Sequence, residues 1–212
     1  PMGPTKVIGR WNSIDKNIEL DADMGVKEQY TTQVKGYISP VNKALDLHIK
    51  SYRTDIRFLN KYVSGIFKDL KGHTTGELRL FGPFKKLDFM GDEKIDMTTE
   101  LLATGVRYNI TNGQLKVHPG HFDFKDVTIS DYLGQTGIVN GGLQHNHLKN
   151  LRYNFNVNAN NLLVYDKEKN SDMPFYATIY GTGNISIDGG GGALQADVSI
   201  TPTSQSKLVY IL

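Results

Sequence analysis

Cysteine is missing from this 212-residue chain, so neither a disulfide framework nor a thiolate metal site can form. That absence suits cytosol and periplasm alike, because an oxidising compartment permits disulfides without requiring them. An excess of one charge is missing too. The 24 Lys and Arg residues against 22 Asp and Glu leave a net charge of +2, too small to argue for nucleic acid or a strongly anionic surface. No apolar run approaches the roughly 20 residues of a membrane-spanning helix. No Ser-His-Asp elbow, phosphate loop, dinucleotide fingerprint or zinc-protease motif occurs. Nothing therefore argues for an enzyme, and no cofactor is implied.

What the chain does have is strand-period alternation, almost from end to end. Ile18, Leu20, Ala22 and Met24 alternate with Glu19, Asp21 and Asp23. Leu45, Leu47 and Ile49 alternate with Asp46, His48 and Lys50, and Tyr153, Phe155, Val157 and Ala159 with Asn154, Asn156 and Asn158. Each such segment has one apolar and one wet side. Strands are expected over 1–53 and again over 74–212, punctuated by Pro40-Val41-Asn42, Gly82-Pro83, Gly91-Asp92, Pro119-Gly120 and Gly189–Gly192. Asn112-Gly113 is the strongest hairpin signal, and Lys167–Pro174 reads as a loop. Short connections favour antiparallel neighbours. Both ends read as cuts through a larger protein.

One segment breaks the pattern. Ile56, Leu59, Val63, Ile66, Phe67 and Leu70 recur at helical spacing, with Thr54 or Asp55 as N-cap and Gly72 as stop. The spacing predicts an amphipathic helix over Asp55–Leu70, which can plug or buttress one end of a sheet but cannot cover it.

Isolated polar motifs are weak. His145-Asn146-His147 puts two imidazoles on one strand face but has no third ligand nearby, so an exposed strand end or loop is expected rather than a metal site. His118-Pro119-Gly120-His121 reads as a turn. Asp21, Asp23, Asp46, Asp123 and Asp126 read as a solvated face. The asparagines 154, 156, 158, 160 and 161 read as the wet side of a strand, with a glycan surface as the alternative. Lys85, Lys86, Arg53, Arg57 and Lys61 read as ordinary surface.

The apolar sides need a covering layer. Periodicity by itself favours a two-layer sandwich with inner faces ~10 Å apart. The other reading is one long sheet bent into a trough, helped by glycines 36, 105, 137, 141, 181 and 183 in strand positions.

The run Ile129-Ser130-Asp131-Tyr132-Leu133-Gly134 precedes a small-residue strand, Thr136–His145. An asparagine-bearing strand, Tyr153–Val164, and the segment Phe175–Gly183 follow. In this order they resemble the C-terminal region of the TamB family within the wider AsmA-like group. Lys71–Pro83 after the expected helix is similar to a family repeat. The resemblance covers the chain from about Leu45.

The resemblance implies an all-β, strongly curved antiparallel sheet, or β-taco, here with one amphipathic helix. It further implies one segment, 1–212, of a larger envelope-spanning protein. That protein is expected in the periplasm, tethered to the inner membrane by a segment outside this chain. Its apolar groove is expected to carry phospholipid between the membranes, with an outer-membrane barrel protein of the BamA/TamA type as partner of the full-length protein. The alternatives are a holder that pairs strands with outer-membrane barrel precursors and, outside the family, a glycan-binding sandwich. The groove is expected to carry Ile18, Leu20, Leu45, Leu47, Ile49, Leu78, Leu80, Leu87, Phe89, Phe122 and Phe124. From the later strands it is expected to carry Val139, Leu143, Tyr153, Phe155, Val157, Ile179, Ile185, Leu194, Val198 and Ile200. Bulges are expected to turn some of these to the other side.

Overall fold

A computed structural model of the chain describes residues 5–26, 29–147, 149–168 and 175–210. The strands are β1 (Thr5–Asn12), β2 (Asn17–Val26), β3 (Gln29–Ser39), β4 (Ala44–Asp55), β5 (Phe67–Pro83), β6 (Asp88–Leu101) and β7 (Val106–His118). They continue as β8 (His121–Ser130), β9 (Thr136–Asn146), β10 (Lys149–Lys167), β11 (Phe175–Gly190), β12 (Ala193–Pro202) and β13 (Lys207–Tyr210). All join one open antiparallel sheet in which β1 to β12 lie in chain order. β12 and β13 share the outer side of β11. Between them the chain loops out, and Ser206 Oγ accepts the Tyr180 N–H at 3.0 Å and donates to the Tyr180 carbonyl at 2.8 Å, standing in for a ladder partner.

Among the described residues no second sheet packs on the first. β7 and β10 form the one substantial strand contact between non-neighbours among the described residues. The accessible surface of 13167 Å² exceeds the ~9,800 Å² expected of a compact monomer of this mass. The two-layer sandwich that periodicity favours is therefore not the fold.

The helix expected over Asp55–Leu70 is not formed either. A 3-10 turn, Arg57–Leu59, runs into a single helical turn, Asn60–Val63, and Phe67 already belongs to β5. Ser64 and Gly65 interrupt the helical run, and the ladder to β6 satisfies the backbone from Phe67 onward. The apolar residues share helical spacing, but cross-strand pairing outweighs that local preference. No helix among the described residues is long and apolar enough to cross a membrane. The expected loop Lys167–Pro174 and the last two residues of the expected strand Lys207–Leu212 fall mainly or wholly outside the described residues.

β-bulges pattern the sheet. Arg53, Asp69, Asn112, Asp126 and Asn161 have φ between 50° and 62°, each at a register shift. A bulge leaves backbone groups without ladder partners, and here side chains supply them. Arg53 N–H donates to Thr75 Oγ1 at 3.2 Å, Asn112 N–H to Asp96 Oδ1 at 2.7 Å, Asp126 N–H to Asn140 Oδ1 at 2.9 Å and Asn161 N–H to Thr182 Oγ1 at 2.9 Å. Beside Asp69, the Asn60 amide pairs with both the N–H and the carbonyl of Leu70, at 3.0 and 2.8 Å. Asn112-Gly113 is thus not the hairpin turn its letters suggest. Its left-handed residue serves a bulge inside β7, and the turn after β7 is Pro119-Gly120, as expected.

Asn112→Val places a β-branched residue at φ 53°. It is expected to lower stability by about 1–2 kcal/mol, whereas Asn112→Gly stays close to the parent. Urea denaturation of both variants checks this.

Candidate functional site

Cross-strand partners in an antiparallel sheet point to the same side, so the register assigns every strand residue to a face. One row crosses the sheet from β1 to β12. It runs Val7, Ala22, Val34, Ile49, Leu78, Gly91, Val117, Phe122, Leu143, Tyr153, Gly189 and Leu194, with no polar side chain. Beside it lies Leu20, Gly36, Leu47, Leu80 and Phe89. By the same pairing Ile18 and Leu45 share this face, as do Phe124, Val139, Phe155, Val157, Ile179, Ile185, Val198 and Ile200. Leu87 lies in the connection before β6, and the Leu194 side chain falls outside the described set. None of the expected strand residues is turned to the other side. In the bulged strands the apolar letters change phase where the bulge does, as in Phe122 and Phe124 followed by Val127 and Ile129.

The face is packed sideways rather than from above. Ala22, Val34 and Leu47 form a buried cluster edged by half-buried Leu20, Ile38, Leu45, Ile49 and Leu80. Ile129, Ala159, Leu162 and Val164 form a second, edged by Tyr108, Ile110, Val139, Val157 and Ile185. Phe89 and Phe122 have ring centroids 6.3 Å apart, and Phe124 and Phe155 are 5.7 Å apart. The outermost strands stay open, with Trp11 56% and Val198 58% exposed.

At one end the sheet curls toward this face. In a flat sheet β7 and β10 would be about 14 Å apart. Here Tyr108 donates its hydroxyl to the Leu163 carbonyl at 2.8 Å, and Asp166 N–H donates to the Thr104 carbonyl at 2.8 Å. Buried Asp131, in the loop between β8 and β9, holds the closure. Its Oδ1 accepts the N–H groups of Leu133 and Gln135 at 2.9 and 3.0 Å, and its Oδ2 accepts the Leu163 N–H at 3.0 Å. Tyr132 and Tyr180 meet hydroxyl to hydroxyl at 2.7 Å. Burial, with the neighbouring Asp131 charge, pushes the Tyr108 hydroxyl well above its ordinary range.

The apolar face has a polar inset around Glu93, which the alternation reading missed. The row next to the unbroken one begins Met24, Thr32, Ser51, Gly76, Glu93, Leu115 and Phe124. Thr32, Ser51, Thr54 and Glu93 are all buried, Glu93 to 3% exposure. Glu93 Oε2 accepts the Thr74 hydroxyl, and Glu93 Oε1 has no hydrogen-bond partner. Burial raises the carboxyl above its ordinary 4.5, opposed by the Thr74 and Ser51 hydroxyls. The signal was present in the letters: Phe89, Gly91, Glu93, Ile95 and Met97 put the acid in phase with the apolar positions.

The remaining motifs resolve simply. His145, expected to be exposed, is buried against Phe122 with ring centroids 5.1 Å apart, and Asp88 stands 4.0 Å from it. No three His, Asp or Glu residues are grouped as metal ligands among the described residues. On the opposite, polar face an open depression of about 460 Å³ is lined by Lys35, His48, Lys50, Glu77 and Arg79. Its charges are already paired: Lys50 with Glu77 at 2.9 Å, Lys35 with Asp21 at 3.3 Å, and Arg79 Nε with Asp46 at 2.7 Å. The Arg79 guanidinium holds the Asp46 carboxyl below its usual range.

Residues 125–209 match the model of the family described as the TamB C-terminal domain. Over that segment the chain is similar to the TamB C-terminal domain. The match starts at the β8 bulge and ends in β13, so it takes in the Asp131 clamp and the closed end of the sheet. No curated protein and no solved structure matches the chain. The TamB family is an envelope-associated transport and assembly module, so the match suggests an envelope-associated role in lipid or protein transport.

Two outcomes follow. Asp131→Ala strips three backbone N–H groups of their acceptor and is expected to cost about 2–4 kcal/mol in chemical denaturation, while Tyr132→Phe costs about 1 kcal/mol or less. For Glu93 the sign is set by a folded-state pKa raised above the unfolded value. The stability its neutral form contributes is present below pH 4.5 and is lost as pH rises through the folded value. Glu93→Gln is therefore expected to match the parent in acid and to exceed it by about 1–3 kcal/mol at neutral pH, read from melting curves across pH.

Proposed function

We propose that the apolar face is a groove for phospholipid acyl chains moving between the inner and outer membranes. In this reading the chain is a periplasmic β-taco segment, tethered to the inner membrane by another part of its protein. That protein would meet an outer-membrane barrel partner of the BamA/TamA type. The observation that carries the proposal is an apolar row across twelve strands with no second layer packed on it. Sheltering a buried methylene is worth about 0.8 kcal/mol, so a sixteen-carbon chain gains on the order of 10 kcal/mol. Successive positions along such a row are chemically alike, so sliding costs little while leaving costs much. The TamB-like assignment supports this reading, because its coarse content is already lipid or protein transport.

The open outer strand favours a second reading, in which the chain holds outer-membrane barrel precursors by strand pairing. β1 is an edge strand with exposed Val7, Ile8 and Trp11, and such an edge can add a strand.

Photo-crosslinkers separate the two readings. At Leu80 and Phe155, both half-buried on the apolar face, capture of phospholipid in cells is expected, with none at His48 and Asn156 on the polar face. Equal capture at all four positions contradicts the groove. Capture of barrel precursors at Ile8 with no lipid at Leu80 or Phe155 favours the holder.

A further inference from the structure

We infer that the polar inset around Glu93 is a seat for the primary ammonium of an aminophospholipid headgroup, an inference that rests on the groove reading and names the lipid class it selects. Thr32, Ser51, Gly76 and Glu93 occupy consecutive strands of one ladder row, and Thr54 and Thr74 flank them in the next. The Glu93 side chain lies back across Gly76, where a Cβ would stand 3.0 Å from its Oε2. A glycine there opens the recess through which the carboxyl reaches the Thr74 and Ser51 hydroxyls. Thr54 donates to the Thr31 carbonyl at 2.6 Å, so its 2.7 Å contact with Thr32 is a bond donated by Thr32, whose own oxygen keeps its lone pairs.

The inset is thus rich in acceptors and short of donors. Glu93 Oε1 is shielded from water and unpartnered, a costly state for a buried polar atom. No Lys, Arg or His lies among its partners in the row or the flanking strands, where the neighbours are Gly76, Thr74, Ser51, Gly91, Ile95 and Leu115. The missing component is a compact donor carrying positive charge. A primary ammonium offers three N–H groups on one small centre, and the acyl chains joined to it fit the unbroken apolar row beside the inset. A quaternary ammonium has the charge without the donors, and a glycerol headgroup has donors without the charge. Once Glu93 Oε1 turns up from beneath its neighbours, the seat takes the primary ammonium in preference to both.

The test uses the whole chain and three short-chain lipids with identical acyl groups: dihexanoyl phosphatidylethanolamine, phosphatidylcholine and phosphatidylglycerol. Titrations below their micelle concentrations are followed by chemical-shift changes. The parent is expected to bind the ethanolamine lipid about tenfold more tightly than the other two. Glu93→Gln and Thr74→Val are expected to abolish that preference by lowering affinity for the ethanolamine lipid to that of the other two, with circular dichroism confirming that each variant is folded. Equal binding of all three lipids by the parent, or a preference that survives Glu93→Gln, overturns the seat and leaves the groove standing. Failure of every lipid to bind overturns the groove, and the seat with it.

Discussion

The structure depends on how the backbone is satisfied where the ladder breaks. A sheet whose strands all kept strict alternation would hold its apolar face without help. This one inserts extra residues at several places, and an uncorrected insertion turns every later side chain to the other side. Two features prevent that. The apolar letters change phase where the bulge falls, and a side chain from a neighbouring segment takes up the freed backbone group, as Asp96 does for Asn112 and Thr182 for Asn161. Asn60 does the same for Leu70 from the short helical turn that precedes β5. The bulges also increase local twist, and the closure of β7 on β10 lies close to those in β7, β8 and β10.

These arrangements explain what could be read in advance. Alternation gave the strands, because period two carries directly into geometry, and short connections gave their antiparallel order. Alternation could not say whether a second sheet covered the apolar face, which is why periodicity favoured the sandwich. The supposed helix failed because Ile56 to Leu70 satisfies a helical template and, from Phe67 on, a strand template equally well. Asn112-Gly113 misled for a related reason, since a left-handed residue serves a hairpin turn and a bulge alike. The discriminating sign is the phase change, from Val106, Tyr108 and Ile110 to Leu115 and Val117. Asp131 stood inside the motif that resembles the TamB family, but while its contacts with Leu133 and Gln135 are local, the one that holds the closure is with Leu163 of β10, some thirty residues away, so no local pattern reveals the clamp.

The apolar face is therefore not a core that lacks its other half. Its side chains pack laterally into two clusters, one end is shut by a buried carboxylate clamp, and the outer strands stay open. Within it sits one acid among hydroxyls, an arrangement that lowers stability and adds chemistry. A surface built only for strength would carry leucine at position 93. In the proposed reading, the uncovered apolar rows and the buried acid together suit the face to a molecule that is mostly hydrocarbon with a small polar head.

The most direct test of that account is native mass spectrometry of the chain purified without detergent. The account predicts a folded monomer carrying phospholipid-sized adducts that are lost when Leu80 and Phe155 are both replaced by aspartate. Bare protein from a folded, lipid-replete preparation would contradict it.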